Sequence, residues 1–287
     1  MSHHATIPHV DRGNNVRGAH FLLSLIEPDD AATVQRRLGI GEPEANPAQW
    51  SASQLHRLQA PQSTLLWMLE RDDPATNALV YHHADITDAV KRDVLRGTPF
   101  GTARGPLPVV GTCDKADCSH REPELAVSPY GLVGGLRRAR SMAAARVAAG
   151  AVSRADWPEI ADADRVEPLP GYARWALSIR IDCPPEVRAQ FGSHPKFTHR
   201  LRQAGIVGYP REYVERWTPA RSVLDVLHVG TTLFPERTRE AAEFLAPLVR
   251  RELGANPEAW AVLAQVLPTF TGTAPELVRT CGAVAGL

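Results

Sequence analysis

Residues 218–254 read TPARSVLDVLHVGTTLFPERTREAAEFLAPLVRRELG, and residues 255–281 continue ANPEAWAVLAQVLPTFTGTAPELVRTC. The apolar residues here recur at helical spacing. Val223, Leu224, Leu227 and Val229 follow a start at Thr218-Pro219. Phe244, Leu245, Leu248 and Val249 follow Pro235 and stop at Gly254. Trp260, Leu263 and Leu267 follow Asn256-Pro257 and stop at Pro268. Proline suits the first helical position because its missing N–H would have had no partner there. Thr273 and Glu276 are spaced as a capping box for a further helix that turns Leu277, Val278 and Cys281 inward. Pro247 lies inside the second helix and predicts a kink or a split. This succession of helix patterns decides for a predominantly all-α fold.

The rest of the chain agrees. Val16, Phe21, Leu22, Leu25 and Ile26 form an apolar stripe, and a second helix runs past Asp29-Asp30 to Gly39. Asn46-Pro47 and Asp73-Pro74 are further helix starts, and Leu65, Leu66, Met68 and Leu69 give one buried face. Leu132, Leu136, Ala139 and Ala143 predict one helix ending at Gly150, and Ser153 caps another over Trp157 and Ile160. Residues 171–183 fit two readings: Tyr172, Trp175, Ala176 and Ile179 make a helix, while 175–183 alternates as a minor strand. The helix is preferred for its helical neighbours.

Gly97, Pro99, Gly101, Gly105, Pro106 and Pro108 break any element over 97–108. The expected division is a loose arm at 1–15, a helical region at 16–97, a loop-rich joint at 98–128 and a second helical region at 129–287. The architecture is an irregular multi-helix bundle or a short α-solenoid. One echo bears on this: Leu38-Gly39 then Asn46-Pro47 and Trp50, against Leu253-Gly254 then Asn256-Pro257 and Trp260.

Leu66 and Leu69 precede Asp73-Pro74, with Val80 and His83 beyond. In these residues the stretch 65–95 resembles one unit of the bacterial variant leucine-rich repeats, although no proline follows His83. The resemblance implies stacked helix pairs and a binding surface.

With 287 residues, a large core is within reach. Equal numbers of basic and acidic side chains, 32 of each, argue against a protein built mainly to neutralise phosphates. Of the basic residues 29 are Arg and 3 are Lys, a bias of high-GC bacterial coding sequences. The longest apolar run is far short of the roughly 20 residues a membrane span needs. The start Met1-Ser2-His3-His4 shows no secretory leader, which predicts a cytoplasmic setting with reduced cysteines.

Cys113, Cys118 and His120 sit in a polar loop at spacings that could hold zinc. Cys183, His194 or His199 would supply the fourth ligand; an inert loop is the plain alternative. Lys196, His199, Arg200 and Arg202 form a basic face for phosphates or an acidic partner. His82-His83 with Asp85, and Asp162, Asp164 and Glu167, are lesser clusters. No G-x-x-x-x-G-K-[ST], G-x-S-x-G or H-E-x-x-H occurs. The expectation is a non-catalytic adaptor or regulatory module with a protein partner and no membrane. The alternatives are a zinc-stabilised module that contacts nucleic acid through 194–202, and an enzyme with a dispersed site.

Overall fold

The computed structural model describes residues 17–41, 58–83, 85–109, 122–192 and 195–286. These form sixteen α-helices and no strand. In chain order they begin with α1 (Arg17–Leu23), α2 (Pro28–Leu38), α3 (Ser63–Leu69), α4 (Pro74–Tyr81) and α5 (Asp88–Leu95). Then come α6 (Gly131–Arg137), α7 (Met142–Gly150), α8 (Trp157–Val166), α9 (Gly171–Ser178), α10 (Pro185–Phe191) and α11 (Pro195–Gln203). Last are α12 (Pro210–Arg216), α13 (Ala220–Leu233), α14 (Pro235–Glu252), α15 (Pro257–Val266) and α16 (Ala274–Ala285). No helix among the described residues is long and apolar enough to cross a membrane.

The described residues fall into two compact units. One draws on Met1–Trp50 and Tyr209–Leu287, the other on Ser51–Gly208. The described parts of the stretch 98–128, residues 98–109 and 122–128, therefore belong within the second unit, and the first is assembled from segments near both ends of the chain.

In the first unit α13 is the central helix, with α1, α12, α14 and α16 packed on it. Val223, Leu224, Leu227 and Val229 are buried, as their spacing requires. α1 approaches closely because it has a glycine at the crossing. A Cβ on Gly18 would stand 3.0 Å from Leu224 Cβ. Arg250 of α14 ties in the following turn by donating from Nε to the Leu25 carbonyl at 3.0 Å. Pro247 does not split α14, which runs unbroken through it. Its ring faces solvent while Leu245, Leu248 and Val249 are buried. That packing outweighs the roughly 3 kcal/mol cost of an interior proline. The Thr273–Glu276 capping box forms as spaced.

In the second unit α3, α4 and α5 pack in succession, and α7 packs on α9. Asp73 caps α4 by accepting from the Thr76 N–H at 2.9 Å. Two sequence expectations change here. The single helix over 130–150 is two, because the Ser141 hydroxyl accepts from the Ala144 N–H and starts α7 afresh. The strand alternative over 175–183 is not adopted: Ala173, Ala176, Leu177 and Arg180 are buried at helical spacing. A core runs through Leu136, Ala149, Trp157, Ile160, Leu177 and Phe191.

The loop after α5 is fastened rather than free. Asp72 accepts from the backbone N–H groups of Phe100, Gly101 and Ala103 at 2.8, 2.9 and 2.8 Å. Gly101 must be glycine there, since a Cβ would lie 2.0 Å from the Glu70 carbonyl oxygen. Gly97, at φ +66°, leaves no room for a side chain against Leu107.

Candidate functional site

The most organised polar region lies in the second unit, around the turn after α9. Arg180 is 4% exposed and Asp182 5%, so their pairing is a buried one. Arg180 grips the carboxylate with two bonds, Nε to Oδ1 at 2.9 Å and Nη2 to Oδ2 at 2.5 Å. Its Nη1 donates to the carbonyls of Ala149, at 2.5 Å, and of Val152. The Trp157 indole N–H donates to Asp182 Oδ2 at 3.3 Å, and the guanidinium lies 5.2 Å from the Trp157 ring centre. Arg188 donates to the Ser178 and Arg180 carbonyls, both at 3.0 Å, and closes the turn from outside.

This cluster underlies an open cleft of about 510 Å³. Its base is Trp157, Phe100, Asp182 and Cys183, all nearly sealed from solvent. Its sides are Leu66 of α3, Glu70 just after that helix, Arg154, and the prolines Pro158, Pro184 and Pro185. Arg165 and Glu186 lie exposed at the edge. Sequence logic explains the shape. The Ser153 hydroxyl and N–H meet Asp156 in a capping box, which turns the chain so that Trp157 enters the core and Arg154 the cleft. Pro184-Pro185 end the turn and start α10, leaving two rigid rings on the wall.

Arg154 is held from both ends. Its backbone N–H donates to Asp93 Oδ2 at 3.2 Å, and its Nη2 donates to the Phe100 carbonyl at 2.9 Å. The guanidinium lies 5.1 Å from the Phe100 ring centre. Burial holds the Asp93 carboxyl above the usual range, and the nearby Asp182 charge adds to this; the Arg154 N–H bond pulls the other way. Cys183 is pushed up to about 12 by burial, so its thiol stays protonated at neutral pH. The cleft thus offers flat apolar rings, rigid prolines and charges of both signs. Asp182 is engaged by Arg180 and Trp157, and among the described residues no histidine lines the cleft.

The residues singled out by sequence fare unequally. Cys113, Cys118, His120 and His194 lie outside the described residues, as does the side chain of Lys196. Cys183 is a buried thiol in the core beside the cleft, whereas His199 is exposed on α11. Among the described residues no three His, Cys, Asp or Glu gather as a metal site. Arg200 and Arg202 are exposed with His199, while Phe197 packs edge-on against Trp175 at 5.5 Å. His83 is buried with Nδ1 3.6 Å from Asp85 Oδ2. The carboxylates of Asp162, Asp164 and Glu167 do not converge: each answers a different arginine, Arg165, Arg174 and Arg137.

Sequence reasoning missed Arg180, Asp182 and Arg154. The one available signal was the pair of charges at 180 and 182 inside an otherwise apolar run. Comparison with protein-family models, with curated proteins and with solved structures gives no match.

Proposed function

We propose that the protein is a binding module whose cleft in the second unit takes a short extended segment of a partner protein. The observation that carries this is the cleft itself. Its volume of about 510 Å³ falls within the ~300–1,000 Å³ of working ligand pockets. Trp157 is held by the Arg180–Asp182 cluster and Phe100 by Asp72 and Arg154, so little ordering cost is left to binding. Backbone and apolar side chains of a peptide suit the Trp157, Phe100 and proline surfaces. Arg154 and Glu70 would set its polarity.

The test is peptide selection by phage display on the full chain. Selected peptides are then titrated against wild type and the Leu66→Glu and Arg154→Ala variants, with circular dichroism to check folding. Binding weakened at least about tenfold, roughly 1.4 kcal/mol, in either folded variant supports the reading. Selected peptides that bind wild type and both variants alike would sink it, as would a failure to select any.

A second reading is favoured by one observation. The sequence of α11, PKFTHRLRQ, has no acidic residue, and His199, Arg200 and Arg202 are exposed on it. Contact with a nucleic-acid backbone through this face predicts salt-sensitive binding that falls on Arg200→Ala and Arg202→Ala substitution. Fluorescence anisotropy with labelled duplex DNA and single-stranded RNA checks it.

A further inference from the structure

The first unit holds a group of titratable side chains that the cleft does not use. His20 of α1 and His228 of α13 face one another across the seam between those helices, ring centres 6.0 Å apart. His20 is only 8% exposed. The seam is tight, because Gly18 brings the backbone of α1 against Leu224. Asp225, one turn before His228, is buried beside Gly18, with Arg221 Nε 3.7 Å from its Oδ2. We propose that this seam is a pH-sensitive latch: protonation of the facing histidines drives α1 off α13, and protonation of Asp225 holds it down.

The physical basis is charge and desolvation at short range. Two imidazolium ions this close, one buried and one half-buried, repel each other. The charges acting on His228 are His20 and Arg17, both of which disfavour a further positive charge. Of the other elements packed on α13, α12 brings the buried Tyr213 phenol, held protonated by burial and by the neighbouring Asp225. α14 meets Gly230 through the uncharged Thr238. α16 buries Leu277, Val278 and the Cys281 thiol, itself pushed up to about 11 by burial. Leu267, at the end of α15, covers Gly18, where a Cβ would stand 3.6 Å from its Cδ2.

The two kinds of group act in opposite directions. Burial, then His20 and Arg17, lower His228 from 6.5 to about 4. An opened seam therefore takes the proton first, and acid favours opening between those values. His20 is lowered too, by burial, and adds to this. Burial raises Asp225 from 3.8 to about 6. For that group the closed seam takes the proton first, so acid favours closure. At pH 5 the His228 effect corresponds to about 30-fold toward opening and the Asp225 effect to about tenfold toward closure. Wild type is thus buffered, opening by about threefold before His20 is counted. Variants separate the parts.

The experiment is hydrogen–deuterium exchange of the full chain at pH 7 and pH 5, corrected for intrinsic exchange, read at residues 17–26. Asp225→Asn should lose protection there by about tenfold or more on acidification. The His20→Gln/His228→Gln double variant should gain it by about tenfold. Identical pH profiles in the two variants overturn the proposal. Because either variant could fail to fold, wild type is also titrated by NMR at its imidazole protons. Both histidines titrating at or above 6.5 would overturn it independently of any substitution.

Discussion

Replacing Arg180 by methionine should be among the most damaging single changes in the second unit. The substitution keeps much of the side-chain volume but removes the guanidinium. Asp182, 5% exposed, then holds a buried charge with the Trp157 N–H as its remaining named donor. The carbonyls of Ala149 and Val152 lose the donor that Arg180 gave them. Removing one partner of a buried ion pair costs about 3–5 kcal/mol, and each orphaned carbonyl adds about 1–3 kcal/mol less any water that enters. These losses overlap, so the expected cost is about 4 kcal/mol. Asp182→Asn in the same chain removes the stranded charge and keeps an acceptor for Trp157, so the double variant should recover about half. Arg211–Glu215 provides the contrast. It is an exposed pair 3.0 Å long, with 62% and 36% of its side chains accessible. Arg211→Ala should cost under about 1 kcal/mol. Equilibrium urea unfolding reads all three, and a slope of about 3 kcal/mol/M would turn the Arg180 loss into a midpoint shift above about 1 M. A loss below about 1 kcal/mol for Arg180→Met would refute the reasoning, and so would a double variant no better than the single.

Asp72→Ala removes the acceptor of three loop N–H groups and should destabilise by about 2 kcal/mol, with protection lost at 100–103 in hydrogen exchange. Gly101→Ala should do comparable harm by forcing a methyl group onto the Glu70 carbonyl, which thermal unfolding reads. Asp164 is held below the usual carboxylate range by Arg174, Gln190 and the Leu169 N–H, against the opposing effect of burial, which is the largest single influence. Its contribution is therefore complete above about pH 4 and is lost as pH falls through its folded value; Asp164→Asn should flatten that acid limb in pH-dependent denaturation. Cys183 and Cys281 are buried, with thiols pushed up to about 12 and about 11. Neither should react with iodoacetamide in the native chain at pH 8, though both should in urea, as peptide mass spectrometry would show.

What could be read from the sequence was local. The capping pairs at Thr273–Glu276, Ser153–Asp156 and Asp73–Thr76 lie within one helical turn, so side-chain type and spacing nearly determine them. Helix content followed from periodicity for the same reason. Pairing between distant segments could not be read. α1 packs on α13 across nearly the whole chain, because Gly18 and Leu224 fit, and nothing near either residue announces it. Pro247 shows the same limit in reverse. Local rules predicted a kink or a split, and the buried face of α14 keeps the helix unsplit.

The candidate site was missed for a related reason. The groups that stand out in the sequence are contiguous along the chain, such as Cys113 to His120 and Lys196 to Arg202. The cleft is built from α3, the turn at Phe100, the Arg154–Pro158 segment and residues 182–187, none of which stands out alone. Arg180 joins two of them, since it bridges carbonyls 31 and 28 residues away, just before the Arg154–Pro158 segment, to the Asp182 carboxylate under the cleft. That double role decides which substitutions can test function. Loss of binding in an Arg180 variant would follow from loss of the base itself and says nothing about recognition. Leu66 is only half-buried, and Arg154 spends one guanidinium bond on the Phe100 carbonyl. Changing Leu66 alters a wall while the Arg180–Asp182 cluster beneath stays intact, so a change in affinity there reports contact with the ligand, whereas an Arg154 change also releases Phe100 and is read beside it.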